Sequence, residues 1–251
     1  MIVVEDLHKH FGGFRAVNGA SIEIPTGSIT GLIGPNGAGK STLFNVIAGV
    51  YKPTSGRVVM DGEDITGLAP HELFHKGLLR TFQIAHEFSS MTVRENLMMV
   101  PAAQLGETLW NTWFQRGRIR EQDEAIGKKA DEVLEFLTIS HLTHERAGNL
   151  SGGQKKLLEI GRALMGEPRM IMLDEPFAGV NPTLSGEIGD HILRLREEGV
   201  TFLMIEHHMD MVSKLCDPVI VMAEGKRLAE GAFREVAAMP SVQEAYMGRR
   251  A

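Results

Sequence analysis

A chain of 251 residues with 43% hydrophobic side chains and a mean hydropathy of -0.06 has the composition of a soluble globule, with room for one large domain or a core with a smaller lobe. A formal net charge of -6 and a pI near 5.9 exclude a global pull toward nucleic acid or anionic lipid, and one cysteine, Cys216, excludes an intrachain disulfide. No apolar run reaches the roughly eighteen residues of a membrane span, and residues 1–7 pass into a strand pattern without the layout of a signal peptide, so a cytoplasmic protein is expected.

In chain order, Ile2-Val3-Val4-Glu5, Ala20-Ser21-Ile22-Glu23-Ile24 and Arg57-Val58-Val59-Met60 read as strands, the last entering a tight turn at Asp61-Gly62. Together they predict an antiparallel lobe. Between the first two, Phe11-Gly12-Gly13-Phe14 sets an aromatic beside glycines. Phe11 either lies flat against a base, worth ~1 to 3 kcal/mol, or is a buried core residue. The stretch from Gly34 to Ser41 reads G-P-N-G-A-G-K-S and fits the phosphate-loop pattern G-x-x-x-x-G-K-[ST]. Its glycines let backbone N–H groups converge on a polyphosphate, Lys40 adds a point charge, and the Ser41 hydroxyl suits Mg²⁺, a hard cation that prefers oxygen. Ile29, Leu32 and Ile33 lead in like a buried strand. Leu43, Phe44, Val46 and Ile47 follow at helical spacing until Gly49, which puts the anion at a helix N-terminus.

Leu78-Leu79-Arg80-Thr81-Phe82-Gln83 reads as a strand ending in an amide, and Thr92 with Glu95 forms a capping box that opens a helix. Residues 101–117 are irregular and hold both tryptophans, Trp110 and Trp113. Residues 118–136 become charged and amphipathic, with Ile126, Val133, Leu134 and Leu137 as the apolar members. His141 and His144 lie three apart without a cysteine or further histidine near them, which suits a surface pair better than a metal site. Leu150-Ser151-Gly152-Gly153-Gln154 then opens an amphipathic helix. Its small, donor-rich end is either a second anion site or an ordinary Ser N-cap. Met170-Ile171-Met172-Leu173 is an unbroken apolar run of the kind a doubly covered strand needs, and it delivers Asp174 and Glu175. In phosphate-loop ATPases an acid at that place holds Mg²⁺ and a following glutamate orients or deprotonates the attacking water. Thr201-Phe202-Leu203-Met204-Ile205 reads as the last strand and delivers Glu206-His207-His208, where a histidine either reaches a γ-phosphate or caps the next helix. Cys216 lies in an apolar stretch that suits a packed thiol.

The phosphate loop, Gln83, L-S-G-G-Q, the strand with Asp174-Glu175, and His207 occur in one order. Together they resemble the ATP-binding subunit of ABC transporters over essentially the whole chain. The resemblance implies an α/β fold, a phosphate-loop NTPase core with a parallel sheet, an antiparallel β lobe and an inserted helical lobe. Residues 1–86 and 151–251 would form the core, and residues 87–150 the helical lobe with the signature at its end. It implies ATP and Mg²⁺ as cofactors. Phe11 would stack on adenine, and Gly34, Asn36, Gly37, Ala38, Gly39, Lys40, Ser41 and Thr42 would hold the phosphates. Ser41 and Gln83 would meet Mg²⁺, Asp174 would support that ion, Glu175 would polarise the water and His207 would contact the γ-phosphate. Ser151, Gly152, Gly153 and Gln154 would bind the ATP held by the opposite subunit of a head-to-tail dimer. His208 stands where an acid usually follows the histidine, so either histidine is open as the one facing the nucleotide.

Further strings narrow the resemblance: Arg80-Thr81-Phe82-Gln83, Met91-Thr92-Val93-Arg94-Glu95-Asn96-Leu97, Ala178-Gly179-Val180-Asn181-Pro182 and Val242-Gln243-Glu244-Ala245-Tyr246-Met247-Gly248 are similar to the LivG-type subunit of branched-chain amino acid importers. That implies a transport ATPase on the cytoplasmic face of a membrane. Its partners would be a second ABC ATPase subunit, copy or paralogue, two transmembrane permease subunits and, indirectly, an extracytoplasmic solute-binding protein, with no nucleic acid. Urea or short amides are the alternative cargo. A soluble ABC ATPase acting on DNA or ribosomes is the alternative from another class, though such proteins usually carry two cassettes or a long coiled coil. A lone GTPase or kinase is disfavoured by L-S-G-G-Q and by the lack of N-K-x-D.

Overall fold

The computed structural model describes residues 1–81, 87–102, 104–107, 110, 113 and 115–247. Gln83 lies outside the described residues. The strands are β1 Ile2–Phe11, β2 Phe14–Ile24, β3 Ile29–Ile33, β4 Ser55–Met60, β5 Glu63–Asp64, β6 Leu78–Arg80, β7 Met170–Asp174, β8 Thr201–Ile205, β9 Val219–Ala223 and β10 Lys226–Gly231. The helices are α1 Lys40–Ile47, α2 Pro70–His75, α3 Val93–Met98, α4 Arg116–Phe136, α5 Gly152–Met165, α6 Pro182–Glu197, α7 Met209–Leu215, α8 Phe233–Ala238 and α9 Pro240–Met247. Residues 1–80, 169–178 and 192–251 form one compact unit, and residues 81–168 with 179–191 form a second.

The first unit holds two sheets. One is antiparallel, in the order β2-β1-β4-β5, and its pairing brings Ile2 opposite Ile24 and Val4 opposite Ile22. These four are buried while Ser21 and Glu23, on either side of Ile22, are exposed, the period-two pattern of a sheet with one face on a core. The other sheet runs β10-β9-β3-β8-β7-β6, parallel throughout except for the edge strand β10. Every residue of β3, β7 and β8 is buried, as in a sheet covered on both faces. Phe44 and Ile47 of α1 share one core cluster with Leu7 and Ile24 of the first sheet and Leu32, Met172 and Leu203 of the second. Helix α1 therefore leaves the end of β3 in a fixed direction.

Strand β8 is not the last one, contrary to the sequence reading. Val219-Ile220-Val221-Met222 is a second apolar run that pairs parallel to β3 and then turns through Glu224-Gly225 into β10.

In the second unit α3, α4 and α5 pack through Leu97, Val133, Leu134, Leu157 and Leu158, all buried. The expected capping box is present: the Thr92 hydroxyl accepts from the Glu95 N–H at 3.2 Å and Glu95 accepts from the Thr92 N–H at 2.7 Å. The sequence reading returned to the core at residue 151, whereas α5 belongs to the helical unit. At Gly161 a Cβ would stand 3.0 Å from Leu137, 3.1 Å from Leu97 and 3.3 Å from Val133. A Cβ would make those side chains give way by a few tenths of an ångström, so the bare α-carbon suits the close packing of α5 on α3 and α4.

Cys216 is 5% exposed and follows α7, with its side chain 3.0 Å from where a Cβ on Gly31 would sit. Burial, with a smaller push from the Glu206 carboxylate, raises its thiol to about 12. At pH 8 the native thiolate is then only about one part in 10⁴. Iodoacetamide at that pH is expected to leave the native chain unmodified over hours and to label it fully in denaturant, as read by intact mass.

Candidate functional site

The phosphate loop is shaped by backbone approaches that admit no side chain. Gly34 follows β3 with φ +144°, and a Cβ there would lie 2.1 Å from the Met222 carbonyl oxygen of β9. Gly39 has φ +94°, and its Cβ would lie 2.3 Å from the Ala16 carbonyl oxygen of β2. The loop closes on itself through the Ala38 N–H, which donates to the Pro35 carbonyl at 3.2 Å. It is tied to the β9–β10 turn by the Gly225 N–H donating to the Ala38 carbonyl at 3.0 Å. Lys40 is buried, and its Nζ donates to the carbonyls of Gly34 at 2.7 Å and Pro35 at 3.0 Å. Burial lowers its ammonium from the ordinary lysine value, with the Glu175 charge opposing that shift. Asn36, Gly37 and Ser41 are exposed, while Thr42 is half-buried in the first turn of α1.

Two neighbouring strand ends deliver the ionisable groups. Parallel pairing sets Asp174 of β7 beside Ile205 of β8, and the Glu175 N–H donates to the Ile205 carbonyl at 3.0 Å. Glu175 has φ +50°, a left-handed conformation that costs a glutamate of order 1 to 3 kcal/mol and persists only where its surroundings enforce it. Its Oε1 lies 3.3 Å from His207 Nε2. His208 Nδ1 instead lies 3.0 Å from Glu206 Oε2, and His208 is the residue preceding α7. His207 is therefore the histidine facing Glu175, while His208 occupies the N-cap position of α7 without a side-chain capping hydrogen bond. Asp174 Oδ2 accepts from Arg80 Nη2 at 3.0 Å, Arg80 Nη1 donates to Asn45, and Asn45 Nδ2 donates to the Ser41 carbonyl at 2.6 Å. A chain of hydrogen bonds thus links the end of β7 to the start of α1.

Phe11 is no core residue. It is 44% exposed at the end of β1, with Tyr51 edge-on at 5.4 Å and Lys9 Nζ 5.0 Å from the ring centre. In the helical unit, Ser151 caps α5: its Oγ accepts from the Gln154 N–H at 3.3 Å, and Gln154 Oε1 accepts from the Ser151 N–H at 2.9 Å. The two glycines between them differ. A Cβ on Gly153 would stand 2.1 Å from a Leu184 methyl and require that side chain to shift, whereas one on Gly152 would meet nothing within 4 Å.

Sequence reading passed over Arg80 and Glu206. Arg80 stood in the string before Gln83, and the parallel pairing of β6 with β7 brings it level with Met172, beside the end of β7. Glu206 is a buried carboxylate one residue past an apolar strand, which is the one signal that marks it.

A glycine-bent loop opening a helix beside two strand-end acids defines a phosphate-loop nucleotide-binding protein. The chain belongs to the ABC transporter family, which it matches over residues 17–178, and its fold is that of an ATP-binding cassette. It is 47% identical over 248 residues to a probable branched-chain amino acid transport ATP-binding protein LivG of Methanocaldococcus jannaschii, covering 97% of this chain and 96% of the relative. A crystal structure of the ADP conformation of an ATP-binding cassette of an ABC transporter superposes with TM-score 0.85 at 44% identity, covering 99% of both chains. A dimeric cassette in a post-hydrolysis state bound to ADP and Pi matches with TM-score 0.76 at 25% identity, covering 93% of this chain and 99% of that one.

Replacing Gly39 by Ala sets a methyl against the Ala16 carbonyl at a φ that L-residues rarely adopt. G39A is expected to weaken nucleotide binding at least about a hundredfold, measured by a fluorescent ATP analogue.

Proposed function

We propose that this chain is the MgATP-hydrolysing subunit of a membrane ABC importer for branched-chain amino acids. It works on the cytoplasmic face as one half of a head-to-tail dimer. The observation that carries the catalytic part is Glu175 in its left-handed backbone conformation, 3.3 Å from His207 and close enough to Lys40 to act on its charge.

On this reading ATP lies with its adenine on Phe11 and its phosphates in the loop from Gly34 to Thr42. The loop's backbone N–H groups and Lys40 neutralise phosphate charge, which costs no reorganisation because the loop is held from two sides. Glu175 accepts a hydrogen bond from the attacking water, and His207 holds the γ-phosphoryl oxygen on the same side, so the water is oriented before the P–O bond to ADP breaks. The donor set also fits Mg²⁺. Ser41 and Asp174 offer a hydroxyl and a carboxylate, and among the described residues no group of three or more His, Cys, Asp or Glu forms a metal cage. That suits an ion that binds mainly through the substrate's phosphates and a few protein oxygens, and Gln83 would add another. When bound, Mg²⁺ would neutralise the charge of the phosphates.

The α5 terminus supplies the argument for a dimer. Gly152 is open where packing gives it no reason to be glycine, and a helix N-terminus attracts an anion. Ser151, Gly152, Gly153 and Gln154 would close over the γ-phosphate held by a second ABC ATPase subunit, copy or paralogue. No helix among the described residues is long and apolar enough to cross a membrane, so passage of solute would belong to two permease subunits, fed by an extracytoplasmic solute-binding protein. Branched-chain cargo is supported by the LivG relatives.

Glu175→Gln is expected to keep ATP affinity, lose about 10²- to 10⁴-fold in turnover and accumulate an ATP-bound dimer, read by steady-state hydrolysis and light scattering. Undiminished hydrolysis would remove Glu175 from this role. Segment 84–91 is the proposed permease contact, so a photo-cross-linker at Phe88, which is 46% exposed, or at Ser89 is expected to capture a membrane subunit in the assembled transporter. Capture of soluble proteins alone would favour a non-transport ATPase.

A further inference from the structure

Glu206 is 1% exposed, yet no step of the proposed hydrolysis uses it. Its two oxygens serve two different loops. Oε1 accepts from the Phe177 N–H at 3.1 Å, two residues beyond Glu175. Oε2 accepts from the His207 N–H at 2.6 Å and the His208 N–H at 2.9 Å, and lies 3.0 Å from His208 Nδ1. A buried carboxylate is costly unless its lone pairs are met, and backbone N–H groups that converge on it form a rigid anion nest. Filling that volume with an apolar side chain is often neutral or stabilising, so stability alone is a weak reason for a charge here.

We propose that Glu206 is a positioning residue for ATP hydrolysis, a buried clamp that sets Glu175 against His207 by holding the backbones of both strand-end loops. The inference rests on the proposed hydrolytic role of those two side chains. Glu175 is pinned on both sides: its own N–H is held by Ile205 and the N–H two residues on is held by Glu206. Together these bonds enforce φ +50° on a residue that would otherwise relax to negative φ. On the other loop, the carboxylate fixes the peptide of His207 itself, so the ring is aimed from its backbone. A glutamine cannot reproduce this. One of its two positions is an NH₂ donor, which would face a backbone N–H and release one loop.

The test compares Glu206→Gln with the native chain in ATP turnover, ATP binding and amide exchange. A clamp predicts a fall of about 10- to 100-fold in kcat with KM for ATP within about twofold. It also predicts exchange at the Phe177, His207 and His208 amides at least about tenfold faster, and no further loss when E206Q is added to Glu175→Gln. An unchanged kcat would overturn the proposal, as would a multiplicative loss in the double variant or a parallel decline of KM, kcat and Tm. If E206Q is not recovered folded, Glu206→Asp carries the same test, since it keeps the charge but is one methylene too short to span both loops. A native chain that binds no ATP would instead sink the hydrolytic reading, while the exchange data would still judge the clamp.

Discussion

Two backbone carbonyls, one from each sheet, press on the phosphate loop at distances that exclude a Cβ. Ala16 of β2 meets Gly39 and Met222 of β9 meets Gly34, so the loop is gripped by the antiparallel sheet on one side and the parallel sheet on the other. This explains why a nucleotide-binding core carries a second sheet at all. With β2 and β9 fixed by their own ladders, the loop cannot open without breaking register in one of them. The buried Lys40 completes the arrangement from inside, bonding the carbonyls of Gly34 and Pro35 across the loop.

The strand ends follow from the same parallel sheet. Successive parallel strands in register finish at one level, which brings Asp174, Glu175, Glu206 and His207 to a single edge without any long-range coincidence. What the register does not supply is direction. Alternation would send the side chain after Asp174 to the opposite face of the sheet, and with φ +50° at Glu175 its carboxylate instead stands 3.3 Å from His207. The strain is local, and two bonds hold it: a main-chain bond from the Glu175 N–H to the Ile205 carbonyl, and one from the Phe177 N–H to the buried Glu206 carboxylate.

Much of this was legible in the residues. The loop, its strand and its helix are marked by spacing that has one physical meaning, and unbroken apolar runs mark β7 and β8 because both faces are covered. Val219 to Met222 is just such a run, yet only its parallel pairing with β3 identifies it as a strand of this sheet. The membership of α5 was missed for a different reason. Its two faces serve different purposes, and Gly161, which suits its close packing on α3 and α4, reads in sequence as a weak helix residue rather than as a contact. Glu206 and Arg80 were invisible as partners because their roles depend on which strand lies next to which, and adjacency is a property of the sheet order.

The start of α5 shows how a motif can be satisfied internally and still be unfinished. Ser151 and Gln154 close a reciprocal capping box, so both side chains are already engaged within the chain. The first N–H groups of a helix nonetheless have no intrahelical carbonyl to meet. At Gly152 the absence of a side chain leaves those donors approachable, whereas at Gly153 the missing Cβ is taken up by Leu184. A Cβ at position 152 would meet nothing within 4 Å, so packing gives no account of glycine there. Under the proposed function, the open glycine leaves room for an anion from outside the chain to approach the backbone, and a phosphate held by another subunit would meet that description.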